Sequence, residues 1–460
     1  MNDSFAHNEL LALRHFYDSG ATLTYTFRKQ QLLRFKDAVV KYEQEIYDAL
    51  YKDLKKSPEE TYATEIGLIL AEIRVTLKNL KEWMNPKSKG TNLVNLPSSS
   101  KVYPDPLGVV LIISPWNYPL QLLLLPLVGA IAAGNCVVVK PSELAPATAA
   151  IIEKIITEVF PKDYVKVVQG DGASVIPGMM EQFRFDHIFY TGSIPVGKFI
   201  YQLAAKDLIP VTLELGGKSP AIVEADADIT ASAGRIVLGK FANAGQTCIA
   251  PDYVLVHESI SEKFIVALKD KVIHFFGDDP KKSHDYGKIV NAKRFDTLSA
   301  YLKDGEIIMG GQTDRNELFI APTIIKNIIP GARIMQDEIF GPILPVIYFK
   351  EREEAIDIVK KNANPLAFYV FTSSKRTEEE WLRRVAFGGG CVNNTIWQFA
   401  NHHLPFGGIG NSGIGAYHGK HSFNTFTHFK PVMKTPTWFD PAIKYPPFKG
   451  RLNLFKKLIR

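Results

Sequence analysis

Residues 108–140 read GVVLIISPWNYPLQLLLLPLVGAIAAGNCVVVK. Two short β-branched runs, GVVLIIS and CVVVK, bracket a longer apolar stretch interrupted by Pro126 and glycines. Strands of a parallel sheet, buried on both faces, read as continuous apolar runs of this kind. The stretch between them, LQLLLLPLVGAIAAG (120–134), is shorter than the ~20 apolar residues a bilayer requires and reads as a buried helix. Strand, helix and strand in succession predict a parallel pair joined by a crossover.

Outward from this unit the rhythm continues. Downstream come a helix over 145–159, the run VKVVQG, the run HIFYTG and a helix over 194–206. Residues 107–212 therefore predict a doubly wound α/β sheet, an architecture that commonly binds nucleotides at its C-terminal strand ends. A second series follows residue 219: PAIVE, a helix over 228–242, YVLVHE, a helix over 259–275, then LPVIYF, AFYVFT and GGCVNN. It predicts a second Rossmann-like domain over 213–400. Upstream, 25–57 and 60–84 show the three- and four-residue apolar spacing of two long amphipathic helices. NPKSKGTNLVNLPSSSK (85–101) is a connection or an extended arm.

Composition bounds the function. At 460 residues the chain exceeds the size at which one core keeps growing, so about two to three domains are expected. Hydrophobic residues make up 46% and charged residues 22%, as in an ordinary soluble protein. The net charge of +6 is scattered among acidic residues, so no nucleic-acid partner is expected. Cys136, Cys248 and Cys391 are too few and too far apart for a disulfide framework or a zinc cluster, and no metal is expected. The N-terminus, MNDSFAHNELLALRHF, lacks the layout of a signal peptide, which points to the cytoplasm.

Two glycine patterns invite a phosphate. GIGNSG (408–413) fits G-x-G-x-x-G by letter, but LPFG rather than a strand precedes it and a poor helix follows. A structural turn is the better account. TGSIPVGK (191–198) lies between a strand and a helix and nearly fits a P-loop, except that Phe199 stands where a magnesium-holding Ser or Thr belongs. Its free backbone N–H groups still suit a phosphate. KPSE (140–143) leaves the end of the CVVV strand, where Lys140 and Glu143 could meet a ribose, or line a solvated loop.

Cys136 sits inside a strand and reads as core, and Cys391 could be the same. Cys248 differs, because GQTC suggests a tight turn that presents the thiol to a cleft, with nearby N–H groups lowering its pKa. LELGGKSP (213–220) places Glu214 at a strand end beside open backbone, suited to activating water. SPWNYP (114–119) holds Asn117 between prolines, where its amide could donate to an oxyanion.

PWNYP, KPSE, YTGS, LELGGKSP, GQTCIAPD, DEIFGPILP and LPFGGIGNSG occur in this order along the aldehyde dehydrogenase superfamily. The chain resembles that superfamily from about residue 25 to 450, and its length and YPPFKG resemble the class 3 branch of fatty and aromatic aldehyde dehydrogenases. The resemblance implies Cys248 as nucleophile, Glu214 as general base and Asn117 as oxyanion donor. It implies a cofactor set of Lys140, Glu143, Gly192, Ser193, Gly197, Glu338 and Phe340. Relatives that pass the acyl group to coenzyme A lack the glutamate of LELGG, so water is the expected acceptor here.

The expected reaction is NAD(P)-dependent oxidation of an aliphatic or aromatic aldehyde to its acid. Glu143 favours NAD by accepting from a 2′-OH, while NADP stays open because the side chain can swing aside. The resemblance also implies a homodimer, with 85–104 and 401–430 as its β arm. That leaves 1–84 and 105–212 as the cofactor domain and 431–460 as a tail. FKGRLNLFKKLIR (448–460), basic with interspersed Leu, Phe and Ile, could lie on an anionic membrane surface or stay solvated. A non-enzymatic protein that keeps the fold, and a cofactor-independent thiol esterase, are the alternatives.

Overall fold

The computed structural model describes residues 3–459. Its first sheet is six-stranded, in the spatial order Gly413–Ile414, Val211–Glu214, His187–Thr191, Val109–Ile113, Cys136–Lys140 and Val165–Val167. All neighbours are parallel except the Gly413–Ile414 edge. The opening stretch forms the predicted unit: Val109–Ile113 pairs in parallel with Cys136–Lys140, and the crossover helix Gln121–Ala133 is buried along its whole length. The chain order reverses between Val109–Ile113 and His187–Thr191, which makes their C-terminal ends the switch point where ligands enter such sheets.

The second sheet has seven strands, in the order Glu306–Met309, Thr323–Lys326, Ile343–Phe349, Tyr253–His257, Pro220–Val223, Ala367–Phe371 and Gly389–Val392. It is parallel apart from its Glu306–Met309 edge, and its own order reverses between Pro220–Val223 and Ala367–Phe371. Fold class is therefore α/β with two doubly wound Rossmann-like sheets.

Several boundaries move. Val211–Glu214 belongs wholly to the first sheet, so the division at 212/213 cuts a strand; it pairs with His187–Thr191 through Thr191 and Glu214. The expected helix over 25–57 breaks at Tyr42 into Tyr25–Lys41 and Glu43–Leu54. The next helix starts at Pro58, capped by Ser57, and passes through a π turn at Tyr62–Ile66 before Gly67–Met84. A helix at Asp3–Asp18 lies ahead of the predicted ones.

A small antiparallel sheet joins Lys87–Lys89, Ser99–Pro106 and Thr427–Lys434. The arm expected over 401–430 is corrected accordingly. Gly413–Ile414 pairs with the strand that ends in Glu214, and only the segment from Thr427 onward joins the small sheet, running into what was read as tail. The GIGNSG turn returns onto the LELGG strand, with the Leu215 N–H donating to the Ser412 carbonyl at 3.0 Å, and carries no long helix.

Candidate active site

The predicted residues converge on the C-terminal ends of the first sheet and the facing edge of the second. Asn117 follows Val109–Ile113, Lys140 ends Cys136–Lys140, Gly192 and Ser193 follow His187–Thr191, and Glu214 ends Val211–Glu214. Cys248 lies in the turn after Ile229–Phe241. Gly245 makes that turn possible: its φ is +75°, and a side chain there would collide with the Gly341 carbonyl of the facing EIFG loop.

Asn117 is tied to the cysteine turn. Its Nδ2 donates to the Gln246 carbonyl at 3.0 Å, its own carbonyl accepts from Asn243 Nδ2 at 2.8 Å, and Tyr118 Oη lies 2.7 Å from Thr247 Oγ1. The spacing of PWNYP does not reveal what fixes it. Lys56 and Glu65 form a fully buried ion pair at 2.7 Å. Lys56 donates to the Asn117 carbonyl at 3.0 Å and lies 3.8 Å over the Tyr118 ring. Glu65 accepts the N–H groups of Leu120 and Gln121 at 2.9 and 3.2 Å. The π turn carries Glu65; such turns recur at functional sites.

The thiol is not the depressed one expected. Cys248 is half-buried as a residue, yet burial of its sulfur, then the charges of Glu338 and Glu214, push it up to about 12. Backbone N–H groups of Cys248 and Ile249 work the other way and are outweighed. Glu214 is buried, both carboxylate oxygens lack a partner, and desolvation raises its pKa well above the carboxylate range. Burial and then Asp252 push Glu338 up to about 8; its carboxylate rests against the Gly216–Gly217 turn. Burial therefore favours the neutral forms of all three groups, Cys248, Glu214 and Glu338.

A pocket opens on Cys248, walled by Leu122, Ile249, Ile396, Phe399, Phe406 and Tyr417. His418 joins this wall with Nε2 unpaired, and burial lowers its pKa to about 3, so the imidazole is neutral. Sequence reasoning missed His418 because an ordinary YHG gives no sign that it meets a distant thiol. A separate surface cavity of about 770 Å³ is lined by residues between 327 and 362 and holds none of the predicted site residues.

On the other side of the thiol the residues fit a nicotinamide dinucleotide. At the switch point the hydroxyls of Ser114 and Thr191 are buried without any partner. Ser193 caps Ile194–Lys206 by position but makes no side-chain bond to it, leaving the hydroxyl open. Gly192 contributes less than expected, since its N–H donates to the Glu214 carbonyl at 3.0 Å. Gly197 is buried against Leu215, whose side chain occupies the room a Cβ would need. Lys140 is paired with Glu143. Burial raises the Glu143 carboxyl, but Lys140 and backbone N–H groups, Gly172's among them, outweigh it and hold it below the usual range. Phe340 adopts a positive φ of 46° and packs edge-on against Trp116 at 5.3 Å, beside Asn117.

Comparison with known proteins gives one answer. The aldehyde dehydrogenase family model matches residues 12–432. The 4,4′-diaponeurosporen-aldehyde dehydrogenase of Staphylococcus aureus is 44% identical over 453 residues, covering 97% of this chain and 98% of that protein. Aldehyde dehydrogenase family 3 member H1 of Arabidopsis thaliana is 43% identical over 460 residues, covering 99% and 95%. The substrate-bound state of Staphylococcus aureus AldH superposes with a TM-score of 0.96 at 42% identity, covering 98% and 99%. An indole-3-acetaldehyde dehydrogenase in complex with NAD+ has a TM-score of 0.85 at 28% identity, covering 94% and 89%. GapN of Methanocaldococcus jannaschii complexed with NADP has a TM-score of 0.84 at 25% identity, covering 95% of each chain.

Proposed function

Since the chain belongs to the aldehyde dehydrogenase family and is an oxidoreductase that takes a nicotinamide cofactor and an aldehyde, we propose that Cys248, Asn117 and Glu214 carry its chemistry. Ionised Cys248 Sγ, its proton released to water, adds to the aldehyde carbon, and the carbonyl oxygen takes the electron pair. The free Nδ2 proton of Asn117 and the Cys248 N–H receive that oxyanion. When bound beside Glu338 and Phe340, a nicotinamide would supply the acceptor for the hydride lost from that carbon as its oxyanion re-forms the carbonyl, and Cys248 would then carry the thioester. Ionised Glu214 then takes a proton from water, the hydroxide adds to the thioester carbon, and Sγ departs as thiolate with release of the acid. The observation that carries this reading is a thiol that lines an apolar pocket on a turn tied to Asn117, together with a buried Glu214 whose two oxygens lack a partner.

Lys140, Ser193 and Gly192 would hold the adenosine and pyrophosphate end, and Glu338 and Phe340 the nicotinamide end. The Glu143 carboxylate favours NAD over NADP. Apolar walls favour medium or long aliphatic, or aromatic, aldehydes, and the polyene aldehyde in a relative's name suits them. Glu214→Gln is expected to give a full burst of reduced cofactor followed by turnover slowed about a hundredfold or more. Full steady-state activity in that variant removes Glu214 from the mechanism.

The remaining expectations belong to the same proposal. Thr427–Lys434 leaves one side of the small sheet unpaired and exposed, which suits a homodimer. The free thiols suit the cytoplasm. The tail exposes Trp438, Tyr445, Phe448, Leu452 and Ile459 among lysines and arginines; Arg460 lies outside the described residues. No helix among the described residues is long and apolar enough to cross a membrane. The mix of basic and exposed apolar side chains suits a tail lying on an anionic surface. Removing 449–460 should release the protein from anionic vesicles in sedimentation; equal binding ends the idea.

A further inference from the structure

The loop that carries Glu338 and Phe340 is held by its main chain. Lys218 Nζ donates to the carbonyls of Ile334 and Asp337 at 2.7 and 2.9 Å and pairs with Asp252. Both side chains are buried, at 3% and 5% exposure. Asp252 Oδ1 accepts the Ile339 N–H at 2.9 Å, and the Asp252 N–H donates to the Ser219 carbonyl at 2.7 Å. From the opposite side Arg294 donates to the carbonyls of Glu338 and Ile339. All three ammonium protons of Lys218 are used, the condition under which a buried ion pair offsets its desolvation.

These bonds take the backbone, while the Glu338 carboxylate rests against the Gly216–Gly217 turn and the Phe340 ring packs on Trp116. They also hold Phe340 in the left-handed region, which a bulky residue keeps only when its surroundings over-determine it. Lys218 lies four residues beyond Glu214, and Asp252 four beyond Cys248. One ion pair therefore joins all three motif segments.

We propose that Lys218 and Asp252 are positioning residues that set the Glu338–Phe340 loop against the thiol and so fix the nicotinamide end of the cofactor. The inference rests on the proposed cofactor role of Glu338 and Phe340. A merely structural pair would affect every activity of Cys248 alike, whereas a positioning pair separates them. Hydrolysis of p-nitrophenyl acetate needs Cys248, Asn117 and Glu214 but no cofactor, so it reads acyl transfer without the nicotinamide end.

The experiment compares Asp252→Asn with the double variant Lys218→Met, Asp252→Asn. The double variant removes both charges together, so neither Lys218 nor Asp252 is left without the other if the single one fails to fold. The expected result is a cofactor KM raised about tenfold, equivalent to about 1.4 kcal/mol, with ester hydrolysis within about twofold of wild type. Parallel loss of both activities overturns the proposal, as does an unchanged cofactor KM. A Glu338→Gln control separates the layers. If cofactor KM is unchanged there, the cofactor role of the loop falls; if it changes there and not in the ion-pair variants, only this inference falls.

Discussion

The two sheets share an architecture and differ at one place. Each reverses its strand order once, and each reversal opens a crevice at strand C-terminal ends. In the second sheet that crevice is closed by its own side chains. Glu224, after Pro220–Val223, accepts from Trp381 Nε1 at 2.5 Å and from Arg352 Nε at 2.8 Å. Asp226 accepts from Thr372 Oγ1 at 2.8 Å, and Asn393 exchanges two 2.9 Å bonds with Thr372. In the first sheet the matching positions are left open, with the Ser114 and Thr191 hydroxyls, Asn117 Oδ1 and both Glu214 oxygens buried and unpaired. An unpaired buried polar group costs about 1–3 kcal/mol. A fold that satisfies one switch point and leaves five such atoms near the other is what the proposed cofactor and aldehyde site calls for.

The largest effect should lie at the open crevice. Asn117→Ala removes a proposed oxyanion donor, so kcat should fall about 150-fold, equivalent to about 3 kcal/mol, with little loss in Tm. At the closed crevice the burden shifts to folding. Glu224→Ala strands the Trp381 N–H and leaves Arg352 only its Glu380 ion pair; urea unfolding should show a loss of about 2–3 kcal/mol with cofactor KM unchanged. A drop in Tm for Asn117→Ala as large as that for Glu224→Ala would erase the contrast.

What was legible follows from how local the signal is. The strands at 109–113, 136–140, 187–191 and 367–371 are apolar runs with no other plausible home, and they stand where the sequence puts them. Cys248, Glu214 and Asn117 were visible because turn residues flank each one. The groups that hold them were not. Lys56 and Glu65, Lys218 and Asp252, and His418 are ordinary charged or polar residues whose partners lie far along the chain, so no spacing betrays them. The small sheet was misread for the same reason: Thr427–Lys434 alternates weakly and earns its strand only by pairing with Ser99–Pro106. The thiol pKa failed differently, because turn N–H groups are legible and desolvation is not.

That failure yields a test inside the open crevice. As pH rises, Glu338 ionises first, near 8, and its charge then opposes ionisation of Cys248. The rate of iodoacetamide alkylation at Cys248 should therefore keep rising to pH 9 without a plateau. In Glu338→Gln the curve should move to lower pH and run about fivefold faster above pH 8, equivalent to about 1 kcal/mol of repulsion. Below pH 7, where the carboxyl is neutral in the native protein, the two curves should meet. A plateau in the wild type near pH 7 would mean that the thiol is already ionised, and that burial does not hold it neutral.

The smallest effect separates the crevices most sharply, because its sign differs. Thr191→Val deletes a hydroxyl that is buried without a partner, so nothing in the free protein is lost and the desolvation penalty is relieved. Unfolding free energy should hold steady or rise by about 1 kcal/mol, against the fall expected for Glu224→Ala. The same variant should weaken cofactor binding by about two- to tenfold, the worth of one hydrogen bond, measured by titration of intrinsic fluorescence. Ser114→Ala should behave alike, since its hydroxyl ends the neighbouring strand across the same switch point. Destabilisation by either substitution, with cofactor affinity untouched, would mean that these hydroxyls serve the fold, and that the two crevices differ only in how their bonds are made.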